Sequence, residues 1–167
     1  MDSCLQQAFD EIWRATAGMS PAQLAWHPRE KWNAAQILEH LSLSFTGTSK
    51  GMQRALAANA TAPARTLKNR LAALLVIRIG YFPSGRQSPA MIVPGEGDPA
   101  MAVEQIVKNL SAMDTVLADV EARKGSTVRV LHPILGPLTI PEWRKFHLRH
   151  THHHMKQIAR LRQLQNS

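Results

Sequence analysis

Histidine is the residue type gathered most tightly where it can do chemistry. Of the 8 histidines in the 167-residue chain, 5 lie in the run Phe146-His147-Leu-Arg-His150-Thr-His152-His153-His154. A stripe through Trp143, His147, His150, His154, Ile158 and Leu161 advances at the helical period of about 3.6 residues, so imidazoles take positions from which a helix faces its core. Neutral imidazoles buried together leave polar nitrogens unsatisfied and charged ones repel, so a cation is the simplest compensating partner. His150 and His154 are four residues apart, with Cβ atoms roughly 6 Å from each other on one helical face, a spacing that suits chelation of one metal ion. Two ligands are too few. His40, in Ile37-Leu-Glu-His40-Leu41, is on or beside the apolar stripe of the second predicted helix and completes a three-histidine set with His150 and His154.

The competing interpretation is a solvated histidine-rich surface, which the phase of the stripe disfavours. His147 lines the site or supports it from behind, or is an ordinary polar residue near a helix start. His152 and His153 point away or sideways from the stripe, to the surface or to a place where they support the site from behind. His27 and His132 each precede proline and are expected to make loop hydrogen bonds. Trp13, Trp26, Trp32 and Trp143 are read as core or rim packing. Glu39 faces about 100° away from His40 and is not expected to share a ligand role. Cys4, the single cysteine, is too isolated to act as a nucleophile.

Long helices must position these rings. Asp2 or Ser3 can cap a first helix to about Ala17, with Leu5, Ala8, Phe9, Ile12 and Thr16 inward, closed by Gly18 and Pro21. Asn33 and Gln36 form a capping pair for a second helix to about Asn59. A third, short apolar helix is expected over Thr66 to Ile79; its run Leu71–Ile77 is too short to span a membrane and reads as buried. Gly80 to Asp98, rich in Gly and Pro, reads as a long loop. Asp98 caps and Pro99 opens a helix carrying Ile106, Leu110, Met113, Leu117 and Val120 to Gly125. Ser126 to Leu131 is expected to be extended and residues 132–137 to turn. Thr139 and Glu142 form a capping box for a last helix over Ile140 to Leu164. The sum is an all-α four-helix bundle in one domain, residues 1–167, with an extra short helix and a long loop inserted between the second and next bundle helices.

Composition narrows the function classes. The lone cysteine excludes a disulfide scaffold and fits a reducing compartment. The opening Met-Asp-Ser-Cys has no basic stretch before an apolar one, so a cytoplasmic protein is expected. The formal net charge is +8, and between Glu39 and Glu96 there is no acid while 7 Lys and Arg residues occur. That excess is a solvated basic face or an anion-attracting rim. No recognition helix or stacking platform accompanies it, so no specific nucleic-acid partner is expected. A membrane partner is not expected either, and an exposed bundle seam would allow a homodimer.

The chain resembles the DinB-like superfamily of four-helix bundles, which includes the YfiT-type metal-dependent hydrolases and bacterial thiol transferases. The resemblance rests on Trp32-Asn-Ala-Ala-Gln-Ile-Leu-Glu-His40-Leu, Gly80-Tyr-Phe-Pro-Ser-Gly85-Arg, His132-Pro-Ile-Leu-Gly136-Pro-Leu-Thr-Ile-Pro-Glu-Trp143, and Phe146-His-Leu-Arg-His150-Thr-His-His-His154-Met-Lys-Gln-Ile158. It covers nearly the whole chain and implies that His40, His150 and His154 ligate a metal. The long basic insertion departs from the family's enzymes. A three-imidazole set leaves a coordination position open and suits catalytic zinc, with Ni²⁺ or Fe²⁺ as alternatives. The resemblance implies a small-molecule substrate, such as a low-molecular-weight thiol, and a transferase or hydrolase; the alternative is a non-catalytic metal-binding, stress-related interaction protein. Arg78, Arg86 or Arg149 could hold the carboxylates of such a thiol. The sequence does not single out a catalytic acid or base.

Overall fold

The first helix, α1 (Ser3–Thr16), starts where the Asp2 carboxylate accepts the Cys4 amide at 2.9 Å, and it buries Leu5, Ala8, Ile12 and Thr16 along one face. It belongs to a computed structural model that describes residues 1–29, 31–59, 62–82 and 89–165. A short helix, α2 (Pro21–Ala25), follows where the sequence suggested only loop. Ser20 and Gln23 make a reciprocal capping box there, with Pro21 at the first turn. Pro21 therefore opens a helix as well as following the end of one.

The next helix, α3 (Ala34–Ala57), is capped by Asn33 and Gln36 as predicted and turns Ile37, His40, Leu41, Phe45, Thr48 and Met52 inward. After it, α4 (Leu67–Ala73) starts at a Thr66 cap and runs into a π-helical segment, Leu74–Ile79, which Gly80 ends at φ 77°. That left-handed conformation favours glycine. The expectation that Leu71–Ile77 is buried holds only in part. Ala73 and Ile77 are buried, whereas Leu71 and Leu74 are 59% and 49% exposed. The segment packs on α6 and the edge of a hairpin along one side only, so an unbroken apolar run must leave some of its residues facing outward.

Beyond a 3-10 turn at Ala90–Ile92, the loop settles on the start of α3. Gly97 (φ +71°) passes so close that an added Cβ would meet the Gln36 nitrogen at 3.1 Å. Gln36 also donates to the Gly95 carbonyl at 2.9 Å.

The helix α5 (Ala102–Lys124) starts later than Asp98-Pro99 predicts. Asp98 instead holds an isolated turn, accepting from the Ala100 amide on its side chain at 3.0 Å and from the Met101 amide on its carbonyl at 3.2 Å. Two strands follow, β1 (Arg129–His132) and β2 (Gly136–Thr139), antiparallel with Arg129 opposite Thr139 and His132 opposite Gly136. The extended piece was expected; the returning strand was read as part of a turn. The protein is thus mostly helical with a small two-stranded sheet rather than purely helical, and an isolated ladder tolerates Pro137 because each strand is an edge.

The last helix, α6 (Ile140–Gln165), begins with the predicted box, the Thr139 amide donating to Glu142 at 2.9 Å. Arg65 grips the same carboxylate with two bonds of 2.9 Å, tying the chain before α4 to the start of α6. α3 lies along α5, α1 lies along α6, and α3 also meets α6, which is what brings His40 to the histidine helix. Trp143 is buried as expected, but Trp13 is 60% exposed: it follows the buried Ile12, about 100° round α1, and so faces outward. Among the described residues no helix is long and apolar enough to cross a membrane.

Candidate metal centre

His40 is carried by α3, His150 and His154 by α6, and all three are buried, at 2%, 8% and 7% exposure. One ligand nitrogen from each lies within 4.8 Å of the others. His150 Nε2 is 3.3 Å from His40 Nε2 and 3.1 Å from His154 Nε2. A tetrahedral zinc bound at about 2.0–2.1 Å from each nitrogen would separate its ligand nitrogens by roughly 3.3–3.4 Å, so these two separations are close to those of a shared ion.

Proton placement strengthens the fit. His40 Nδ1 is 2.7 Å from the Ile92 carbonyl, which can only accept, so Nδ1 carries the hydrogen and Nε2 keeps its lone pair. Gln157 donates to His153 and accepts from His154 Nδ1 at 2.9 Å, which fixes the same tautomer in His154. These outer bonds orient the rings as metal-binding histidines require. His150 is held differently. Its Nδ1 is buried without a partner, and its ring is stacked between Phe82 (5.6 Å) and Phe146 (5.4 Å). Lone pairs converging at these distances repel unless a cation or a shared proton lies between them.

Electrostatics keeps the trio neutral. Burial lowers the His40 pKa, partly opposed by the Ile92 carbonyl. Burial, then the proximity of His40, brings His154 down to about 3. Burial, then His154 and His40, holds His150 well below the ordinary histidine value. Neutral imidazole is the form that ligates, so no proton need be expelled at neutral pH.

The other histidines lie outside the trio, His153 nearest to it with its ring 5.1 Å from His154 and 5.0 Å from Phe82. His147 is fully buried, bonds Thr48 Oγ1 at 3.0 Å and stacks on Trp143, behind the trio rather than in it. His152 faces outward and pairs with Glu11 at 3.1 Å. His27 and His132 make the expected loop bonds, to the Pro28 carbonyl and from the Ile134 and Leu135 amides; His132 is also buried against Trp143 and Phe146. Glu39 stands outside the trio with one buried oxygen unpartnered. Of the three arginines, Arg78 is exposed, Arg86 lies outside the described residues, and Arg149 rests against Gly80 with its Nε buried and unpartnered.

Sequence reasoning missed Gln157, Phe82, Phe146 and the Ile92 carbonyl. Gln157 was findable, being three residues beyond a predicted ligand on the same face. The Ile92 contact has no side-chain signature and depends on where the loop settles. Trp32, expected as rim packing, lies on His40 with ring centres 5.2 Å apart.

Comparison with curated proteins and comparison with solved structures each return no match. A family profile described as a protein of unknown function, DUF1569, matches residues 5–161. That match spans nearly the whole chain, which therefore belongs to the DUF1569 family.

Proposed function

We propose that the protein is a metal-dependent enzyme of the DinB-like kind, in which α1, α3, α5 and α6 form a four-helix bundle and α4 and the long loop are inserted between α3 and α5. The convergence of three neutral, buried imidazole nitrogens from two helices carries this reading. Zinc is the metal proposed, because three nitrogen ligands with a further position free match its catalytic sites; nickel and iron(II) share the preference for imidazole. When bound, such a cation lowers the pKa of a coordinated water or low-molecular-weight thiol and supplies a nucleophile at neutral pH. The chain's own residues do the rest. Ile92 and Gln157 orient the His40 and His154 rings, and Phe82 and Phe146 clamp His150 and exclude water around it. Arg149, one residue before His150 and beside Gly80, is the arginine best placed to hold a substrate carboxylate. The reaction proposed is thiol transfer or hydrolysis.

Elemental analysis of untagged protein tests this, run beside the variant with all three ligands changed to alanine. About one metal ion per chain in the first and none in the second is expected, with thiol-dependent turnover of an electrophile lost in His40→Ala. Turnover that persists in His40→Ala overturns the proposal. A second reading, a non-catalytic cation that staples α3 to α6, is favoured by the low exposure of the three rings. It predicts that chelation unfolds the protein, whereas the enzyme reading predicts loss of activity with the fold retained.

A further inference from the structure

The strongest unexplained feature is an outward row of leucines. Leu67, Leu71 and Leu74 are 82%, 59% and 49% exposed. At about 100° per residue they fall within an arc of roughly 60° on the outer side of α4 and its π-helical continuation. Lys68 and Arg70, both exposed, project on either side of that arc, and exposed Arg78 and Ile79 extend it toward Gly80. From residue 40 to residue 95 the chain has 7 Lys and Arg residues and no acid.

We propose that this face rests on an anionic lipid surface, with Leu67, Leu71 and Leu74 entering the boundary between headgroups and acyl chains while Lys68 and Arg70 meet the headgroup charges. An apolar stripe flanked by cations is the pattern of a helix lying in a membrane interface, where leucine burial and electrostatic attraction add. Shape agrees, since a leucine 82% exposed stands clear of the protein surface rather than lining a groove. Charge argues against a second copy as the occupant: two such faces brought together would juxtapose their cations in a chain already carrying +8. The contact is peripheral and independent of the histidine site.

The test is co-sedimentation of the full-length chain with vesicles. Protein should pellet with equimolar phosphatidylcholine and phosphatidylglycerol and stay in solution with phosphatidylcholine alone. Leu71→Gln/Leu74→Gln keeps the charge and should lower partitioning about tenfold; the single change Leu67→Gln, at the most exposed of the three sites, should lower it severalfold without any effect on the melting temperature. Lys68→Glu/Arg70→Glu should weaken binding more than Lys50→Glu/Arg54→Glu, an equal change of charge on α3. Failure of the wild-type chain to pellet with anionic vesicles overturns the proposal. So does binding that ignores the leucine changes or weakens equally in both charge variants, since the net charge alone would then suffice. A dimer, or capture of an acidic protein, that is abolished by Leu71→Gln/Leu74→Gln in a chain that binds no vesicle assigns the face to a protein instead.

Discussion

Two helical regions invert the ordinary rule of burial in opposite ways. On α6, imidazoles occupy inward positions that leucine would fill elsewhere; on α4 and its π-helical continuation, leucines stand where lysine would. Each inversion is unfavourable for the chain by itself. Buried imidazoles give up hydration, and exposed leucines order water that burial would release. The two regions teach the same lesson: residues misplaced for folding point to something the chain does not supply, for which we propose a cation in one case and a lipid surface in the other.

Metal addition should give the largest effect on the α6 side. With free metal at about a thousand times its dissociation constant, a ligand that binds only the folded state adds about 4 kcal/mol of stability. Calorimetric melting should show this in the wild-type chain, and the increment should vanish in His154→Ala. An equal increment in the variant would separate the stabilisation from the histidines.

Truncating leucines sharpens the contrast between inside and outside. Leu41→Ala, at a fully buried site on α3, should cost about 3 kcal/mol in urea unfolding. Leu71→Ala, the same change on α4, should stay within about 0.5 kcal/mol. Similar costs at both sites would mean that the α4 face is covered by the protein itself.

Acid should expose the cost of polar burial. Burial lowers His132 to about 4, and burial followed by the charge of His132 lowers His147 to about 3. Both bind protons more readily unfolded, so their stabilising contribution is complete above pH ~6.5 and is lost as the pH falls toward those values. In metal-free protein each of the two rings should account for a loss of about 2 kcal/mol between pH 7 and pH 4.5, and His132→Asn should make the profile shallower. A profile flat in the wild-type chain would contradict neutral burial. A smaller loss than that of acid is expected from Arg65→Ala, which removes a two-bond ion pair and should cost about 1 kcal/mol, read from the urea midpoint.

Much of this was legible in the chain because caps and periods are local. Asn33 with Gln36 and Thr139 with Glu142 mark helix starts where the structure has them. The phase of Trp143, His147, His150 and His154 placed imidazoles inward before any partner helix was known. What remained hidden depends on distant contacts. Asp98 is an acceptable cap whose side chain closes an isolated turn instead. The pairing of β1 with β2 is carried by backbone bonds between short segments with no strong alternation. The exposure of Leu71 could not be read from an all-apolar run, which has no period to say which side is covered. The carbonyl of Ile92 reaches His40 only because the loop folds back over α3.

Cobalt(II) titration of the metal-free chain tests the histidine centre most directly, since the visible spectrum of cobalt reports coordination at the site itself. One equivalent should saturate a nitrogen-ligated, four- or five-coordinate signal, and His40→Ala should abolish it. A chain that gives no such signal, or whose His40→Ala variant gives the same one, would show that the three rings do not share an ion.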